Sequence, residues 1–203
     1  MSARNATRPH GRAKGRPRPV WRLTIRLAGV MPMVWRTILI RPETKLSMLH
    51  CYLQAAIGWR DCHFFSFTID GKEYSIPRHE SESDTKVYDA RRYTLARLFS
   101  AIPARFTYLY DFGDEWDHVI EIEGVQEAEF RRQYPICIAG AEPCPPEDCG
   151  GPQGYRELRA ILNDPRHPRY AECTSWAEAQ RYRTRFRPET ATWTMRDVQR
   201  GWT

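Results

Sequence analysis

Long apolar runs are missing from this 203-residue chain. None approaches the roughly 18 consecutive apolar residues of a membrane-spanning helix. The N-terminal stretch also has no apolar segment of the kind a secretory signal carries. A cytoplasmic, reducing setting is therefore expected, in which Cys51, Cys62, Cys137, Cys144, Cys149 and Cys173 are thiols rather than disulfides. There is no internal repeat. A glycine-rich phosphate loop and a His-Arg-Asp catalytic loop are both absent, so Asp111-Phe112-Gly113 matches the kinase metal-binding tripeptide only by coincidence. Gly150 to Gly154 do not spell Gly-x-Gly-x-x-Gly after a strand, which excludes a dinucleotide fingerprint. What remains is ordinary globular material: 41% of residues are hydrophobic and 28% charged, enough for a packed core.

Acid is missing from one place in particular. The first 19 residues hold Arg4, Arg8, Arg12, Lys14, Arg16 and Arg18 and no Asp or Glu, whereas the remainder balances 25 basic with 25 acidic residues. Residues 1–19 bury too little surface to offset their ordering entropy, so a disordered basic tail is expected ahead of a single domain over 20–203. Lys14-Gly-Arg-Pro-Arg-Pro19 resembles an AT-hook core, whose cations enter a narrow A·T minor groove. Lys14, Arg16 and Arg18 are thus the candidate nucleic-acid contacts, with non-specific contact or plain solubilisation as the alternatives.

Beyond the tail, Trp21, Leu23, Ile25 and Leu27 alternate with Arg22, Thr24 and Arg26, the pattern of a half-buried strand. Val34 to Ile40 supply an antiparallel partner. Thr44 is placed to cap a helix carrying Leu46, Leu49, Leu53 and Ile57, with Gly58 at its end; His50 beside that stripe reads as a hydrogen-bonded, half-buried side chain. Phe64 to Asp70 and Lys72 to Ile76 form a hairpin through Asp70-Gly71. Residues 77–86 read as an exposed loop and a candidate flap, and a short helix follows near Thr94 to Phe99. A second hairpin pairs Phe106, Tyr108 and Tyr110 with Trp116, His118, Ile120 and Ile122. Helices are predicted around Tyr155 to Leu162, Tyr170 to Ala177 and after Pro188. Strands first and helices last imply an α+β fold, a mostly antiparallel sheet built from hairpins with helices packed on one face and a helical C-terminal part.

Chemistry concentrates in two short segments, Tyr108 to His118 and Cys144 to Tyr155. Asp111, Asp114, Glu147 and Asp148 offer paired carboxylates for acid/base work. Cys137, Cys144 and Cys149, with His118, are candidate zinc ligands, to which Asp111, Asp114, Cys62 or His63 is an optional addition; six and four intervening residues are loose for a zinc site. Tyr110, Trp116 and Tyr155 are candidates to line a recognition cleft. The plain alternative is that the acids cap turns and Cys137 and His118 belong to the core.

Trp21 to Leu27, Val34-Trp-Arg36, Ala56-Ile-Gly-Trp59, Tyr110-Asp-Phe-Gly-Asp-Glu-Trp-Asp-His118, Tyr134-Pro-Ile-Cys137, Cys144-Pro-Pro-Glu-Asp-Cys-Gly-Gly-Pro-Gln-Gly-Tyr155 and Phe186-Arg-Pro-Glu189 resemble, in that order, the plasmid pRiA4b ORF-3-like family. The resemblance covers about residues 20 to 195. It implies an α+β fold and an association with plasmids and mobile elements, but no established activity. Some members carry a transposon-resolvase label, which this first strand, lacking a serine, does not support. Two functional expectations follow. One is an accessory binding module with a polar recognition cleft and a tail that contacts DNA. The other is a metal-dependent hydrolase or nuclease using Asp111, Asp114 and His118.

Overall fold

A computed structural model describes residues 18–77 and 86–201; Lys14, Arg16 and most of the candidate flap lie outside them. Its strands are β1 (Pro19–Leu27), β2 (Trp35–Ile40), β3 (Phe65–Ile69), β4 (Lys72–Ser75), β5 (Val87–Asp89), β6 (Ala104–Tyr110), β7 (Trp116–Glu127) and β8 (Ile136–Ala141). They form one sheet in the order β5-β4-β3-β6-β7-β1-β2-β8, antiparallel except between β4 and β5. The helices are α1 (Leu46–Ile57), α2 (Leu95–Leu98), α3 (Gly151–Leu162), α4 (Tyr170–Ala179) and α5 (Pro188–Gly201). The α+β expectation is met. Sequence periodicity missed two strands, and both lie at the edges of the sheet. β5 spans three residues, and β8 runs into Ala139-Gly140-Ala141, where there is little side chain to alternate.

Period-2 residues of β1, β6 and β7 point the same way and disappear from solvent, among them Leu23, Ile25, Phe106, Tyr108, Tyr110, Trp116, Ile120 and Ile122. Over them lies α1, in which Leu46, Leu49 and Leu53 are fully buried at helical spacing. The helix stops at Gly58, whose φ of 124° is unfavourable for a residue with a Cβ and whose N–H bonds the Gln54 carbonyl. α5 then packs beside α1 and onto β8, burying Ala191 and Met195.

Arg36 of β2 ties these layers together. Its guanidinium is buried, has no carboxylate partner among the described residues, and donates to five carbonyl oxygens at 2.7–3.3 Å: Ala56 and Ile57 of α1, Trp35 of its own strand, and Ala141 and Glu142 at the end of β8. Phe186 lies over the charge at 3.6 Å from ring centroid to Cζ. Burial lowers the arginine from 12.5 to about 10, so it stays cationic at neutral pH. Arg36→Met is expected to strand several carbonyl acceptors and cost at least about 3 kcal/mol. Arg36→Lys should recover little of that, because three donors on a point charge cannot span the same fork. Urea unfolding of the two variants measures both.

Candidate functional site

Three chain segments meet at the end of the sheet where β3 begins and β6 gives way to β7. The first is the turn from α1 to β3, Gly58 to Phe64. The second is the β6–β7 turn, Asp111 to Glu115, and the third is the loop from β8 to α3, Glu142 to Gly150. The second and third clasp each other through glycine. A Cβ on Gly151 would stand 2.4 Å from the Asp114 carbonyl oxygen, while Gly154 lets the third segment close on itself, a Cβ there standing 1.9 Å from the Cys149 carbonyl oxygen. Asp114 Oδ2 accepts the Gly150 N–H at 3.1 Å. Asp114 is therefore a latch between the two motifs. The first segment joins through the Trp59 indole N–H, which donates to Pro145 O at 2.9 Å.

Inside this junction His63 Nε2 stands 3.1 Å from Asp148 Oδ1, 3.5 Å from Asp111 Oδ2 and 4.0 Å from Glu147 Oε2. The donor atoms of His63, Asp111 and Asp148 all lie within 4.8 Å of one another. Nε2 itself is sealed from solvent and yet makes no hydrogen bond, because the ring nitrogen is not aimed at either nearby oxygen. Asp111 uses Oδ1 to accept the Gly113 and Asp114 N–H groups, which leaves Oδ2 facing His63. Glu147 is almost fully buried. It accepts the Arg60 N–H at 2.8 Å and the Tyr110 hydroxyl at 3.2 Å, and burial raises its pKa. Asp111 and Asp148 hold φ of 58° and 57°, conformations that L side chains seldom adopt and Asp tolerates better than most.

A second donor group, His50, Cys51 and Asp61, is of another kind. His50 already uses both ring nitrogens, on the Tyr108 hydroxyl at 2.8 Å and on Asp61 at 2.7 Å. The Cys51 thiol donates to Ser47 O and is pushed up to about 12 by burial. This is an internally satisfied polar network, in keeping with the sequence reading of His50.

Of the sequence candidates, the structure brings Asp111, Glu147 and Asp148 together around His63, with Asp114 as the latch and Tyr110 behind Glu147. His118 is not part of the site. It pairs with Tyr108 across the β6–β7 ladder, faces the core with Ile120 and Ile122, and is fully buried, so the expected Asp111/Asp114/His118 cluster does not form. Its Nδ1 contacts the Tyr108 carbonyl at 3.2 Å and must carry the proton, since a carbonyl only accepts. Cys137, Cys144 and Cys149 do not enter either donor group. Burial raises all three thiols, Cys137 to about 11 and Cys149 to about 12, and Cys137 and Cys144 donate to backbone carbonyls instead. Tyr110, Trp116 and Tyr155 are buried struts: Tyr110 supports Glu147, Trp116 packs on Trp59, and Tyr155 bonds Tyr182. Sequence reasoning treated His63 only as a spare ligand. Its signal was the polar Arg60-Asp-Cys-His63 run between an apolar helix and an aromatic strand.

The proton chemistry of His118 is testable. Burial pulls its imidazole from 6.5 down to about 4. The unfolded chain therefore takes up this proton first as the solution acidifies. The stability gained by keeping the ring neutral is complete above pH 6.5 and is lost as pH falls toward about 4, on the order of 2–3 kcal/mol. His118→Gln, which keeps a donor for the Tyr108 carbonyl, should flatten that part of a stability-against-pH curve.

Comparison with known proteins places the whole assembly. The model of the plasmid pRiA4b ORF-3-like family matches residues 19–193. A Sinorhizobium fredii protein described as uncharacterized protein y4hQ is 38% identical over 164 residues, covering 80% of this chain and 83% of its own. The crystal structure of MM3350, a protein of unknown function from Methanosarcina mazei Go1, is similar with a TM-score of 0.74 at 28% identity, covering 84% of this chain and 96% of that one.

Proposed function

The chain belongs to the plasmid pRiA4b ORF-3-like family, and for it we propose a divalent-metal-dependent binding module whose ion is held by His63, Asp111 and Asp148. One observation carries this reading: a solvent-sealed imidazole nitrogen sits beside two carboxylate oxygens and hydrogen-bonds to neither. Ligands about 2.1 Å from one ion, at right angles, stand roughly 3 Å apart without pointing at each other. A neutral imidazole with two carboxylates offsets the charge of a divalent cation and suits Mn, Fe(II), Co or Zn. Glu147, fixed by Arg60 and Tyr110, is placed to take a proton from a water on that ion. The hydrolase form of the reading therefore keeps Asp111 and exchanges Asp114 and His118 for Asp148, His63 and Glu147.

The test is titration of the full-length, metal-stripped protein with Mn²⁺ and Zn²⁺ by calorimetry. One equivalent is expected to bind, and His63→Gln or Asp148→Asn to weaken it by more than about 100-fold, beyond the usual effect of losing an outer partner. Cys144→Ser should bind unchanged. Metal that is lost in Cys144→Ser and kept in His63→Gln would sink the assignment and return the thiols.

A second reading rests on the segregated charge of the tail. Arg18 is exposed, and its carbonyl accepts from Arg41 and from the Ala128 N–H, which anchors it just ahead of β1. Removing residues 1–17 should abolish salt-sensitive retention of the protein on DNA without changing its melting temperature. Retention that persists after the deletion would move the contact onto the domain.

A further inference from the structure

Behind the His63 cluster, and sharing Arg60 and Glu147 with it, a cleft of about 780 Å³ opens between the end of α1, the 143–147 loop and the connector that leads into α5. That volume is the size of a small-molecule site. Its wall carries Arg36, Arg60, Arg181, Arg183, Arg185 and Arg187, and only one acid, Glu147. Glu147 is already engaged by the Arg60 N–H and Tyr110. Among the described residues, Arg181, Arg183, Arg185 and Arg187 form no ion pair.

The connector sequence explains how so much like charge is held in one place. Arginine occupies every second position from 181 to 187, and the residues between include Tyr182 and Phe186. Those two rings turn inward. Tyr182 bonds the buried Tyr155 hydroxyl at 3.1 Å, and Phe186 covers Arg36. The aromatic residues pin the connector, while the intervening arginines remain exposed. Arg36 has spent all five donors on carbonyls, so it contributes a fixed positive field at the back of the cleft and no hydrogen bond to an occupant.

We infer that this cleft binds a small ligand carrying two or more phosphate groups. Repulsion among unpaired arginines costs stability that an anion relieves, and one charge is too few for four free guanidinium groups. Arginine rather than lysine at every position suits bidentate contact with phosphate oxygens. The inference goes beyond the metal assignment: none of His63, Asp111 and Asp148 lines the cleft, which meets that cluster only through Glu147 and Arg60.

The experiment uses full-length protein stripped of metal and dialysed free of chelator, titrated with pyrophosphate, ADP and orthophosphate. Pyrophosphate and ADP are expected to bind, more weakly as salt rises, with orthophosphate at least tenfold weaker. ADP well above pyrophosphate would identify a nucleoside phosphate as the source, and equal binding would identify phosphate alone. The exposed pair Arg183→Gln/Arg185→Gln, checked for an unchanged melting temperature, should lose at least tenfold for both, whereas His63→Gln should retain them. The assignment is overturned if neither diphosphate binds, if the double variant binds equally well, if His63→Gln abolishes binding, or if only a single-stranded oligonucleotide binds.

Discussion

One guanidinium organises the working end of this molecule. Arg36 reaches from β2, beside the edge strand, to the last carbonyls of α1 and to the end of β8. Both chain segments that leave those points, Gly58 to Phe64 and Glu142 to Gly150, contribute ligands or walls to the site. A buried cation satisfied only by carbonyls is costly to desolvate, and it earns its place by fixing two loop origins at once. The covering ring of Phe186 adds a third origin, the connector that carries the arginines. The site's precision is thus inherited from the core.

Tight backbone approach does the rest. Gly140 lies against Phe186, Trp35 and Arg36, where a Cβ would fall 2.5–2.9 Å from its neighbours. Gly151 lets one acidic turn settle onto another, and Gly154 lets the second turn close tightly on itself. At Gly140 and Gly154 glycine serves by its missing volume, and at Gly151, with φ of 67°, by its conformational freedom as well. Two turns rich in Asp and Glu are thereby held together, and their carboxylates are positioned by the backbone rather than by flexible side chains.

Much of this was legible in the residues. Alternation fixed the faces of β1, β6 and β7, and helical spacing fixed α1, because in each case one side is apolar and the other is not. The dense polar character of Tyr108 to His118 and Cys144 to Tyr155 marked the right two segments. Periodicity could not tell which members turn outward. His118 follows the same period-2 rule as Ile120, and reading it strictly would have buried it. His63 lies in a turn, where no period exists, and its approach to Asp148 depends on a loop fixed by contacts some eighty residues away along the chain. Cys137, Cys144 and Cys149 drew attention as metal-binding residue types, yet each packs here as a small apolar side chain.

The order of strands has its own consequence for how the chain reaches this state. The N-terminal hairpin β1–β2 ends up inside the sheet, between β7 and β8, which are made long after it. Until they arrive, both edges of the hairpin are open to any other strand. Pairings between distant parts of the chain are slow to close. A nascent chain of this sequence is therefore exposed to mispairing for most of its synthesis, and chaperone demand should fall sharply once β8 and α5 have emerged.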